Sequence, residues 1–151
     1  EDDDTYTFIL SFFCIAVAEE GAKYYYLRKK TWNSSYFNYS FDAIVYSVCV
    51  SLGFAIYENI LYVSRYGFET GVIRAFTAVP GHFFDAVLMG LFYAEAAKKA
   101  AEGKSYASIK ISLSCALIVP IMTHGAYDYL AMSDAYPEWF FYIYLLIVWF
   151  D

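Results

Sequence analysis

Charge is scarce in this 151-residue chain: 17% of its residues are Asp, Glu, Lys or Arg, against about 25% in an average soluble domain. Beside 60% apolar and 23% aromatic content, that scarcity excludes an ordinary water-soluble globule and points to lipid as the solvent. Cysteine is rare too. Cys14, Cys49 and Cys115 stand in separate apolar stretches without C-x-x-C spacing, so they read as small packing residues and imply no disulfide framework. There is no internal repeat and no boundary to a second domain. The start, Glu1-Asp2-Asp3-Asp4, is acidic, whereas a signal peptide opens on basic residues. The sequence has no initiator Met and ends inside an apolar run. It is therefore expected to be one transmembrane catalytic domain, 1–151, truncated at both ends. Nothing in it calls for nucleic acid as a partner; the partner implied by composition is the bilayer.

What the chain does have is long apolar runs. Five lie near 5–27, 41–64, 71–94, 108–132 and 136–150, and a span needs about 20 residues. The last has only 15. The expected fold is all-α, a polytopic membrane bundle of about five transmembrane helices. The net charge of −6 says less than where the cations sit. Arg28, Lys29 and Lys30 follow the first run, and Lys98, Lys99, Lys104 and Lys110 lie between the third and fourth. The positive-inside rule puts loops 28–40 and 95–110 in the cytoplasm. The turns near 66–70 and 133–138 then face outward, with only Arg65 and Arg74 as cations on that side. Asn33-Ser34-Ser35 and Asn38-Tyr39-Ser40 match the glycosylation pattern but fall in a loop assigned to the cytoplasm. Pro80 and Pro120 sit inside apolar runs, each just before a histidine, and are expected to kink their helices.

Ionisable residues inside spans are costly, about 2.5–3.5 kcal/mol each at the bilayer centre on insertion scales. This chain keeps Glu19, Glu20, Lys23, Glu58, Asp85 and Asp128 there, with both of its histidines, His82 and His124. Four runs contribute them, so a convergent polar cluster is the economical arrangement. Glu19 and Lys23 are four apart and share a helix face. His82 and Asp85 are three apart, and His124 and Asp128 four apart; each acid is placed to orient its own histidine. Asn59 adds a neutral donor and acceptor beside Glu58. At about 1.5 Å per residue the cluster lies from mid-membrane toward the outer face. Any one of these groups alone reads equally well as a helix–helix hydrogen bond. Asp85 is the weakest member, and Lys23 could simply neutralise Glu19 or Glu20.

Four motifs then fall in order on successive helices. Glu19-Glu20-Gly21-Ala22-Lys23 fits E-E-x-x-K, Phe54 to Asn59 fits F-x-x-x-E-N, Pro80-Gly81-His82 with Gly90 looks like a third, and His124-Gly125-Ala126-Tyr127-Asp128 fits H-x-x-x-D. Together they resemble the PrsW family of intramembrane proteases, relatives of the CAAX-processing and bacteriocin-processing membrane proteases. The resemblance implies a protease of the bacterial cell membrane that cuts membrane-anchored substrates near the outer face. The implied substrate is an anti-sigma factor, cut at the first site of a regulated cascade. Asp85 is outside the family pattern.

Peptide hydrolysis needs an activated water, a stabilised oxyanion and a protonated leaving amine. A Glu in a dry pocket can act as base and then acid; Glu19 or Glu20 is the candidate, supported by Glu58. His82 and His124 can share the water or donate to the oxyanion, with Asp128 orienting His124. Glu58, His82 and His124 also form a catalytic zinc set, although H-E-x-x-H is absent. The residues alone leave both open, with a slight preference for the metal-free glutamate mechanism. The rivals are a proton-coupled transporter or channel using the same Glu/His cluster, and a haem carrier ligated by the two histidines.

Overall fold

The computed structural model describes residues 2–35, 37 and 40–150, without the side chains of Asp2, Trp149 and Phe150. Asn38 and Tyr39 of the second glycosylation pattern lie outside the described residues. Among the described residues every regular element is a helix: α1 (Asp2–Ile9), a π-helical turn (Leu10–Ala16), α2 (Val17–Thr31), α3 (Ser40–Tyr66), α4 (Phe68–Phe76), α5 (Ala78–Ala101), α6 (Tyr106–Met132) and α7 (Trp139–Phe150). Four stretches are long and apolar enough to cross a membrane: Asp3–Thr31, Ser40–Tyr66, Phe68–Ala101 and Tyr106–Met132. The expected fifth is the shorter apolar helix Trp139–Val148. The chain is a multi-pass membrane protein.

Its interior is inverted relative to a soluble domain. Large apolar side chains such as Phe13, Ile56, Phe83, Ile111 and Ile118 point outward, while Glu20, Lys23, His82, Asp85 and His124 are buried. Lipid solvates the former, and only the bundle interior can partner the latter. Small residues let the helices approach: Ala16, Ala43, Ala55, Ala86 and Ala116 are buried. At Gly90 a Cβ would stand 2.6 Å from the Cα of Ile44, so α3 and α5 meet backbone to backbone, as close-packed membrane helices do. A smaller apolar core (Leu27, Met89, Tyr93, Ala96 and Leu113) closes the end of the bundle at the Lys-rich connections. There the hydroxyls of Tyr93 and Thr31 are 2.9 Å apart.

The two prolines behave differently from each other. Pro80 lies in the first turn of α5, where a helix has backbone N–H groups without intrahelical partners anyway. The third run is therefore broken at Thr77, between α4 and α5, rather than kinked at Pro80. Pro120 sits inside α6, which continues through it. The π-helical turn interrupts the first span just before Glu19, and π segments in long helices recur at functional sites.

Candidate active site

Four helices deliver the polar cluster by helical spacing, and one of them, α3, also locks it. From α2, Glu19 and Glu20 point to neighbouring faces, and Lys23 lies one turn on. Glu58 comes from α3, His82 and Asp85 from α5, and His124 and Asp128 from α6. Ser51 of α3 donates to the carbonyl of His82 at 2.8 Å, fixing α5 against α3 beside the ring. The two imidazole rings stand 5.3 Å apart, edge to face.

Lys23 sits at the buried base. Its Nζ is 2.6 Å from Glu20 Oε1, 3.0 Å from His82 Nδ1 and 3.7 Å from Glu19 Oε2. An ammonium has donors only. His82 Nδ1 therefore accepts, the ring proton is on Nε2, and Nε2 donates to Glu58 Oε2 at 2.9 Å. His124 has the opposite arrangement. Its Nδ1 donates to Glu20 Oε1 at 2.7 Å, and its Nε2 faces the acids of the cavity. That nitrogen is 3.4 Å from Asp128 Oδ2 and 3.7 Å from Glu19 Oε2.

Of the two pairings expected from spacing, His124 with Asp128 is present at 3.4 Å, and His82 with Asp85 is replaced. His82 is oriented by Lys23 and Glu58 rather than by Asp85. Asp85 instead accepts from the Thr123 hydroxyl, and its Oδ2 faces His124 Nδ1 at 3.8 Å. His124 is held by Glu20, across the helix interface, while Asp128 stands on its other nitrogen. Spacing alone could not reveal this, because partners from other helices outcompete an i,i+3 neighbour when they approach end-on. Both acids of the first motif reach the cluster. Glu20 is wholly buried beneath the histidines, and Glu19 lines the cavity above them.

That cavity has a volume of about 70 Å³, room for water. Glu19, Glu58, His82, His124 and Asp128 line it, together with Tyr62, Arg74 and Tyr127, which sequence reasoning left out of the site. Arg74 was read only as an outward-side charge. The signal that could have found it is an arginine inside an apolar run. Arg74 pairs with Glu58 Oε2 at 2.8 Å and lies over the Tyr62 ring, 3.7 Å from its centroid. Asn59, beside Glu58, donates to the carbonyl of Gly71 at 3.3 Å and ties α4 to α3.

Two overlapping donor sets could hold a metal ion: Glu20, His82, Asp85 and His124, and Glu19, Glu58 and His82, the ligand atoms of each within 4.8 Å of one another. The first already holds the Lys23 ammonium against Glu20 and His82. On the cavity side, Glu19 Oε2 and Asp128 Oδ2 are buried without a hydrogen-bond partner among the described residues, and both flank Nε2 of His124. A ligating histidine characteristically gives its other N–H to a carboxylate, as His124 gives Nδ1–H to Glu20. Histidine nitrogen with carboxylate oxygens suits zinc and similar divalent ions. The residues fit a metal, and of the two histidines His124, whose Nε2 faces the cavity beside Asp128, is better prepared for it than His82, whose ring nitrogens are both engaged.

Comparison with known proteins follows the same line. A family model described as PrsW family intramembrane metalloprotease matches residues 1–151. The chain is 34% identical over 145 residues to Protease PrsW of Bacillus subtilis (strain 168), covering 95% of this chain and 63% of that protein. It is 35% identical over 139 residues to Protease PrsW of Geobacillus kaustophilus (strain HTA426), covering 92% and 59%. To Protease PrsW of Clostridioides difficile (strain 630) it is 28% identical over 147 residues, covering 93% and 59%. The chain thus spans about three fifths of the length of these relatives. No solved structure matches it.

Proposed function

Since the chain belongs to the PrsW family of intramembrane metalloproteases, we propose that it carries the catalytic core of an endopeptidase that cuts membrane-anchored proteins near the outer face of the bacterial cell membrane. The observation that carries this reading is the trio at the cavity: Nε2 of His124 between two buried carboxylate oxygens that have no hydrogen-bond partner among the described residues, Glu19 Oε2 and Asp128 Oδ2. In this reading Glu19 takes the proton of a cavity water as its oxygen bonds to the substrate carbonyl carbon. Glu19 then returns that proton to the leaving amine. Glu20 works from below, holding His124 in the tautomer whose Nε2 faces the cavity. Glu58 takes the Nε2–H of His82 and fixes that ring.

The metal-free mechanism favoured by the residues alone gives way to a metal-assisted one, supported by the family's description and by the donor set. His124 and Asp128 would hold the ion, with Glu58 and His82, the other members of the sequence-derived set, at its side, and Glu19 stays free to act as the base. Zinc is the ion this chemistry favours. It would supply Lewis acidity and a more acidic water.

The substrate is a single-span protein of the anti-sigma-factor type, and the Lys-rich loops near 28–40 and 95–110 face the cytoplasm. The test is co-expression of the full-length protein, or its Glu19→Gln form, with host single-span proteins, read by mass spectrometry of ectodomains. Trimmed ectodomains with the parent, absent with Glu19→Gln, support the reading. Abundant, folded parent that trims nothing in any host fraction contradicts it. The buried acids and histidines also suit a proton path; proton flux into liposomes by such an inactive parent would favour that alternative.

A further inference from the structure

Arg74 has no role in the reading above, yet few residues of the cavity are held so firmly. It stands inside an apolar run long enough to span, where an arginine is expensive and is kept facing the bundle or water. It is aimed from three sides. Its Nη2 is 2.8 Å from Glu58 Oε2, its guanidinium lies 3.7 Å from the Tyr62 ring centroid, and Asn59 holds its helix to α3 through the carbonyl of Gly71. The approach of α4 there is close: a Cβ on Gly71 would stand 2.3 Å from Val63 Cγ2. With all this support, the Nε of Arg74 is buried and has no hydrogen-bond partner among the described residues. A buried donor left unpaired costs free energy, and here it belongs to a side chain lining the cavity with Glu19, His82 and His124.

We infer that Arg74 is a substrate-binding residue, whose guanidinium, clamped by Glu58 and Tyr62, donates through Nε to the carbonyl oxygen of the peptide bond being cut. This rests on the protease reading and adds its missing oxyanion donor. When the water oxygen bonds to the carbonyl carbon, the C=O π pair moves onto oxygen. A fixed guanidinium stabilises that charge without reorganising. Arginine suits the task better than lysine, because its planar fork can keep the Glu58 pair and present Nε at once. Glu58 then has a second duty, holding Arg74 as well as His82.

The test uses full-length protein reconstituted in liposomes with a host protein that the parent trims. Arg74→Gln is expected to lower kcat by about 100-fold, the scale for loss of one oxyanion donor, with KM within about threefold, as for an interaction made only in the transition state. Arg74→Lys keeps a cation beside Glu58 but has no Nε. It is expected to unfold at the parent's temperature and to lose at least about tenfold in kcat. If Arg74→Gln instead raises KM with kcat within about threefold of the parent, the guanidinium makes no interaction specific to the transition state, and the inference is overturned. A kcat within threefold of the parent in Arg74→Lys overturns it as well, leaving the protease reading intact. A parent that trims nothing overturns the protease reading and this inference with it.

Discussion

Replacing Lys23 by Met tests the buried base of the cluster with a large expected effect. The Lys23 side chain is 1% exposed and Glu20 0%, and their 2.6 Å contact is the shortest of the Lys23 contacts. Removing one partner of a buried pair leaves the other as an uncompensated charge, at about 3–5 kcal/mol. At about 2–4 °C per kcal/mol for a chain of this size, Lys23→Met should lower the unfolding midpoint in detergent by roughly 6–20 °C. Neutralising the stranded acid should help: Lys23→Met with Glu20→Gln is expected to be more stable than Lys23→Met alone, the non-additive result of a coupled pair. A second readout concerns His82. With the Lys23 donor gone, Nδ1 is no longer required to accept, so nitrogen NMR of ring-labelled histidine should show His82 losing its fixed Nε2–H tautomer. His124, held by Glu20 in the parent, reports whether the disturbance spreads. A midpoint within a degree of the parent, or a double variant no more stable than the single, would refute the assignment of Lys23 as the charge partner of Glu20.

Three further outcomes follow from the geometry. His124→Ala should abolish tight binding of added zinc, measured by equilibrium dialysis and metal analysis, while His82→Ala weakens it by about 10–100-fold, the scale of a supporting residue. Gly90→Ala drives a Cβ to 2.6 Å from the Ile44 backbone and should cost about 1–3 kcal/mol by overpacking; Gly53→Ala, with nothing within 4 Å of its Cβ, should be neutral or stabilise by up to about 1 kcal/mol. Asn59→Ala removes the tie between α3 and α4; it should cost about 1 kcal/mol of stability and lower kcat in the same direction as loss of Arg74, with proteolysis of the isolated variants as the assay.

Much of this arrangement is legible in the sequence, for identifiable reasons. Apolar runs of span length announce the helices because lipid tolerates no other unpaired backbone. Buried acids and histidines announce the cluster because each is too costly to keep alone. What spacing could not supply is which helix presents a partner end-on. His82 with Asp85, and His124 with Asp128, are neighbours along their own helices. The closest partners of the rings nevertheless come from α2 and α3: Glu20, Lys23 and Glu58. Arg74 escapes the candidate set because the third apolar run reads as a single helix. The break at Thr77 turns its first segment into α4, a separate short helix, and so carries an apparent surface charge into the cavity. Pro80 suggested a kink there; its position in the first turn of α5 instead makes it an ordinary helix start.

The central claim is that Glu19 and the His124 nitrogen activate water against a peptide bond. It is tested most directly by running the liposome reaction in ¹⁸O-labelled water with one trimmed host protein and reading the new C-terminus by mass spectrometry. The account predicts one ¹⁸O in that carboxylate with the parent, and no product with Glu19→Gln. With Glu20→Gln, whose parent residue only orients His124, it predicts slower product carrying the same label. Undiminished, labelled product from Glu19→Gln would contradict it, because hydrolysis would then proceed without the residue assigned as its base.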